Sequence, residues 1–209
     1  MPSVDQATLE ATRRFLHGVA ELLLAGPQYR ASGTIRLRVL PDGFGTVASP
    51  DVRVDGDLLV HGDDRVRLAG RTIAGVGTAA GLEPASLDEV YSDGSGLIPE
   101  DLVEVDAAAA GVLAQALVAG DTALRRLAPD QTPVLWPEHF DVAVTLAGVN
   151  YGLSPGDGYC PVPYAYVGPW TARTGDFWNA PFGAARRFDE LGSAEAVLEF
   201  FTQGQRLAG

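Results

Sequence analysis

The chain contains no lysine. All 15 basic residues are arginine, set against 27 acids, for a net charge of −12 over 209 residues. Arginine-only usage is a mark of a GC-rich bacterial genome rather than of function. The acidic balance argues against nucleic acid or a membrane surface as partner, since both demand clustered positive charge. Cysteine is nearly absent too. Cys160 stands alone, which excludes an internal disulfide framework. No run of apolar residues is expected to reach the roughly 18–20 needed to span a bilayer. The N-terminus is polar and lacks a basic-then-apolar signal pattern. These absences together predict a cytoplasmic protein of a reducing compartment. Histidine is scarce, and His17, His61 and His139 show no H-x-H or H-x-x-x-H spacing that would announce a metal centre.

Hydrophobic content of 46% supports a real core. The periodicities predict an α+β fold, with a mainly antiparallel sheet packed by two long helices and a C-terminal helix. A single domain over 1–209 is expected, because the helices need the sheet to bury their stripes. Its segments are a helix plus meander (1–74), an acidic segment and helix (75–130), an aromatic segment (131–185) and a last helix (186–209).

The first helix is expected over 4–25. Ser3 and Gln6 read as a capping box, Leu9, Thr12, Leu16, Val19 and Leu23 form one stripe, and Gly26 with Pro27 form the stop. His17 falls beside the stripe, solvated or half-buried. Period two follows over 34–74, giving an antiparallel meander with one apolar face and one arginine face. That second face could hold a carboxylate or phosphate. A solvated face paired with the chain's own acids is the simpler expectation. From Arg71 to Arg125 no basic residue occurs, while nine acids do. Such a run repels itself unless cations lie near, and the meander's arginines are the expected neutralisers. The spacing of these acids does not match a calcium loop. The run GVGTAA at 75–80 matches a dinucleotide-binding pattern, but Pro84 cuts short the helix that pattern needs, so a glycine-rich turn is expected. A second long helix is predicted over 106–128, capped by Asp106 and ended by Pro129, with Gly120 as a point of bending.

Residues 133–181 concentrate what is rare elsewhere. They hold all three tryptophans, four of the six tyrosines, the cysteine and one histidine. Strands are expected at 141–149 and 162–167, joined by a long loop, with Tyr164 and Tyr166 on one face. A last helix over 193–207 turns Val197, Phe200 and Phe201 to the core. Within 152–156, GLSPG matches the G-x-S-x-G nucleophile elbow. The residue after the serine must donate its N–H to an oxyanion, however, and Pro155 has none. Cys160 with His139 as base is a further nucleophile arrangement, against which stands a small packed cysteine. Glu138, His139 and Asp141 form a compact polar group. In it a histidine oriented by a carboxylate can serve as general base, with Asp157 as a loop acid. Trp136, Asn150, Tyr151, Tyr159, Tyr164, Tyr166, Trp170 and Trp178 are the candidate ligand-binding walls. The same rings could instead be core.

WPEHFD at 136–141, NYGLSPGD at 150–157, and PYAY at 163–166 with Pro169 and Trp170 occur in that order. Over 134–185 this series resembles an uncharacterised bacterial family of unknown function with W-P-x-H-F-D, G-F-S-P-G-D and P-Y-x-Y segments. This chain has Glu138 where a second histidine is expected and Leu153 where phenylalanine is. The resemblance implies a site at these residues and no particular activity.

The functional expectation is a small-molecule-binding protein. Its enzymatic form would be cofactor-independent acid–base chemistry on a small neutral or aromatic metabolite, with His139 as polar centre. A non-enzymatic interaction or structural protein, its aromatic segment serving as core or partner surface, is the alternative, and a homo-oligomer is compatible with either reading. A metal-dependent enzyme with His139 as ligand is the second alternative. No cofactor is named by the residues.

Overall fold

A computed structural model describes residues 4–209. The fold is α+β, with ten strands and six α-helices among the described residues. The chain divides into two compact units. The first comprises residues 1–115 and 135–140, the second residues 116–134 and 141–209.

The first unit opens with α1 (Gln6–Val19), whose N-cap is Asp5, accepting from Thr8 N–H. Ser3, half of the predicted capping box, lies outside the described residues. The predicted stripe is buried at Leu9, Thr12, Leu16, Val19 and Leu23. The predicted stop at Gly26 and Pro27 is not one. A π-helical turn over Ala20–Ala25 leads directly into α2 (Gly26–Ser32). The wider turn explains how proline is tolerated. Gly26 N–H reaches back to the Glu21 carbonyl, as π geometry requires. The next carbonyl, of Leu22, would look to Pro27, which has no N–H. Ala85 N–H donates to it instead, at 2.9 Å. Gly26 lets this strand of chain come close, since a Cβ there would lie 1.9 Å from the Ala85 oxygen. In the first turn of α2, Gln28 is fully buried. Its amide donates to the carbonyls of Thr34 and Arg36 and accepts from the N–H groups of Val47 and Ala48.

The meander follows as β1 (Leu37–Leu40), β2 (Gly43–Thr46), β3 (Val52–Asp55), β4 (Leu58–His61) and β5 (Asp64–Arg67). Each strand pairs antiparallel with the next. β6 (Val134–Trp136) pairs with β1 through Leu135 and Leu37. Phe44, Val52, Val54, Leu59 and Val66 are buried on one face. Register places Arg38, Gly45, Arg53, Val60 and Arg65 in one row across the other. The two-faced sheet is as expected. β2, with its two glycines, carries no sequence signal of a strand.

GVGTAA at 75–80 is not a glycine turn. It lies almost wholly in α3 (Ile73–Ala79), capped by the Thr72 hydroxyl. Gly77 is there for contact: a Cβ would lie 2.9 Å from the Leu82 oxygen. Residue Asp106 caps α4 (Ala107–Leu127) by accepting from Ala109 N–H, as predicted. α4 is long and apolar enough to cross a membrane by length and composition, contrary to the expectation that no such run exists. Just over half of that window is buried within the protein, as a core helix requires.

The second unit takes the latter part of α4 and four strands in the order β7 (Asp141–Leu146), β8 (Val149–Ser154), β9 (Tyr164–Pro169) and β10 (Ala184–Arg187), all antiparallel. The predicted hairpin from 141–149 to 162–167 is therefore replaced by a tighter one. β7 and β8 are joined at Ala147 and Gly148, both at positive φ (48° and 77°), which suits the twist of a two-residue hairpin. Ala-Gly is a weak turn signal beside Asn-Gly, which is why β8 reads as loop. The short α5 (Phe188–Leu191) precedes α6 (Ala194–Ala208), capped by Ser193. Val197, Phe200 and Phe201 are buried as predicted. Gly204 of α6 sits against Val167, and Gly120 of α4 against Leu153 and Val142. Helices thus cover the β7–β9 face that carries Val142, Tyr151, Leu153 and Val167.

Candidate functional site

The residues predicted as one site divide between the units. Trp136, Glu138 and His139 belong to the first; Asp141, Asn150, Tyr151, Asp157, Tyr159, Tyr164, Tyr166, Trp170 and Trp178 belong to the second.

In the first unit the turn 137–140 closes against α1. His17 Nε2 lies 2.6 Å from the Pro137 carbonyl, which can only accept. Nε2 therefore carries the hydrogen, and Nδ1 is the basic nitrogen. The ring stacks on Phe140 at 5.3 Å and an interplanar angle of 7°. Phe140 holds φ at 52°, in the left-handed region that a bulky residue rarely enters. Its buried ring also meets Phe44 edge-on, so packing on two sides offsets the backbone strain.

One helical turn on, Glu21 is buried within the π-helical segment. Tyr91 Oη–H donates to its Oε1 at 3.0 Å and Ser95 N–H to its Oε2 at 2.8 Å. Gly94 passes so close that a Cβ would lie 2.1 Å from Oε1. Burial holds the His17 imidazole below its ordinary pKa, with the Glu21 charge pulling the other way. His17 is thus neutral at pH 7, and its 3.9 Å approach to Glu21 is no ion pair there. Burial first, then Glu21, drives the Tyr91 phenol well above its ordinary value. Glu138 also raises Tyr91, and His139 also lowers His17. His139 itself is 63% exposed, with Nε2 3.9 Å from Glu138 Oε2. His17 of α1 and Tyr91 thus both approach Glu21 of the π-helical turn, and Glu138 with His139 exerts its charge on them from outside. Sequence reading placed Glu138 and His139 here but missed Glu21 and Tyr91. The only available signal was a charged residue amid the apolar run of α1.

In the second unit the outward face of the sheet is built from phenols and carboxylates. Tyr166 Oη–H donates to Asp141, and Tyr164 Oη–H to Asp157 Oδ2 at 2.5 Å. Gly152 makes room for Tyr166: a Cβ there would lie 2.4 Å from the phenol oxygen. Both phenols are raised in pKa, foremost by burial and then by their carboxylate partners. Asp157 has a second duty, its Oδ1 accepting from Tyr159 and Cys160 N–H and fixing the loop. Tyr159 and Phe182 pack edge-on at 4.9 Å over Tyr164. Asn150 Oδ1 accepts from Thr145 and from the Trp170 indole, whose ring is 73% exposed. Tyr151 is core, on the opposite face, against Phe201. Trp178 packs edge-on against Phe177. Ser154 ends β8, and its Oγ accepts from Gly156 N–H.

A groove of about 610 Å³ in this unit is lined by β10, α5 and α6, including Arg186, Phe200, Gln203 and Arg206. None of the predicted site residues lines it. Among the described residues no group of three or more His, Cys, Asp or Glu side chains is arranged to hold a metal.

No family model matches the chain, and neither a curated protein nor a solved structure does.

Proposed function

We propose that this protein binds a small neutral or aromatic metabolite and performs cofactor-independent acid–base chemistry on it beside the 137–140 turn. The observation that carries this reading is the half-buried, neutral His17, fixed in one tautomer by the Pro137 carbonyl with its basic nitrogen left over. A base near neutrality, a buried carboxylate and a strained backbone in one place are the ordinary furnishings of a catalytic centre. His139 and Glu138 are the exposed members and would meet the ligand first. His17 would take or hold the proton, and Glu21 with Tyr91 would keep the π-helical turn in place. Trp136 supplies an adjacent ring.

Native mass spectrometry of the purified protein, beside the same sample denatured, tests this directly. A retained organic mass that is lost in a folded His139→Ala variant supports the assignment. Equal retention by wild type and folded variant removes His139 from the site, and an additional mass equal to a metal ion overturns the cofactor-free reading.

A further inference from the structure

We infer that the arginine face of the meander is a docking surface for a second copy of this chain, which it meets through the acidic strip at 98–106. Arg38, Arg53 and Arg65 share one row, with Gly45 and Val60 between them. Neighbouring strands are about 4.8 Å apart, so these arginines recur about every 10 Å, with the buried Gly45 and Val60 between them. Arg36 extends the surface and lies over the Trp136 ring at 5.8 Å.

The chain has 27 acids for 15 arginines, enough to pair every arginine internally. It does not do so. Arg67 pairs with Asp57 and Arg38 loosely with Asp51. Arg53 and Arg65 make no ion pair among the described residues. The acidic run expected to neutralise them does not reach them: within it Glu83 meets Arg30 of α2 and Asp121 meets Arg125 of α4.

The strip at 98–106 turns at 98–101 and pairs its backbone with residues 70–74, which fixes its side chains in place. Exposure alternates along it. Leu97, Val103 and Val105 are buried, while Ile98, Glu100, Leu102, Glu104 and Asp106 face outward. Ile98 and Leu102 are 54% and 52% exposed, large apolar side chains set between carboxylates. Mixed apolar and charged surface of this kind marks protein interfaces rather than plain solvated loops. The segment just before it is anchored, because Glu21 accepts from Tyr91 and Ser95. Acids with no internal cation and arginines with no internal acid, on separate surfaces, are complementary between molecules. Such a contact is head-to-tail, so it propagates into a ring or a chain of copies rather than a two-fold dimer.

Light scattering after size exclusion, at about 100 µM and moderate salt, tests this. Wild type is expected to run as more than one copy. Arg53→Glu/Arg65→Glu and Glu100→Arg/Glu104→Arg, each checked for fold by circular dichroism, are each expected to weaken assembly about tenfold or more. Mixed together, the neutralised variants Arg53→Gln/Arg65→Gln and Glu100→Gln/Glu104→Gln retain one intact surface each and should form a discrete pair and nothing larger. Arg53→Gln/Arg65→Gln serves if charge reversal unfolds the sheet. A monomeric wild type, assembly untouched by the arginine changes, or a mixture that stays monomeric overturns the inference.

Discussion

The strands of the two units treat charge on their outward faces in opposite ways. In the first unit the face is arginine, left to solvent and to aspartates of neighbouring turns. In the second, the carboxylates of Asp141 and Asp157 meet phenols, which supply a hydrogen bond without a countercharge. A guanidinium in water tolerates the loss of its partner at little cost. A buried phenol–carboxylate pair does not, because either member left alone is desolvated and unsatisfied. The first face is therefore left to solvent and loose surface pairs, and the second is committed to its own interior contacts.

Substitutions at the two face glycines should break this comparison most sharply. Gly152→Ala drives a methyl into the Tyr166 phenol and should cost about 2–3 kcal/mol. Gly45→Ala meets its nearest neighbours at 3.1–3.2 Å and should cost well under about 1 kcal/mol. Urea unfolding of both variants measures the difference. Tyr166→Phe should follow, at about 1–3 kcal/mol, by taking one donor from Asp141.

Stability against pH should separate the units next. Tyr164 and Tyr166 have folded-state pKa values above their ordinary 10.0. The folded state then holds protons that the unfolded state has released, so stability falls as pH rises above about 10. Tyr164→Phe/Tyr166→Phe should flatten that fall. His17 has the reverse sign, its folded value lying below 6.5. Its contribution is intact above that pH and is lost as pH drops below it, a loss that His17→Gln should reduce. Trp136 fluorescence reports the first unit, and Trp170 with Trp178 the second. The smallest effect belongs to Arg53→Ala and Arg65→Ala, each within about 0.5 kcal/mol of wild type in the monomer.

Much of the architecture was legible because it rests on period. The α1 stripe, the two-faced meander, Asp106 as a cap and the inward residues of α6 all follow from spacing and side-chain chemistry. What was not legible depended on chain segments far apart in sequence. Proline at 27 reads as a stop until Ala85 is known to donate to Leu22. Glycines at 75 and 77 read as a turn until α3 is seen packed closely at Gly77. At the candidate site, the 136–141 motif pointed to His139 and Glu138. Glu21 and Tyr91 lie 70 residues apart in the chain and carry no shared signal. Grouping Asp141 with His139 by adjacency separated it from Tyr166, the partner that its strand gives it.

The π-helical turn also works as a phase setting. It inserts one residue more than an α-helical path would use, and so rotates everything beyond it by about 100°. Gln28 is the residue that depends on that angle, since its amide makes four hydrogen bonds to the backbone at fixed directions. Winding the same residues as continuous α-helix would swing Gln28 away from the backbone that enters β1 and leaves β2, whereas deleting one residue of Ala20–Ala25 would keep its direction. What ties the long first helix to the meander is thus a matter of residue count as much as of residue identity.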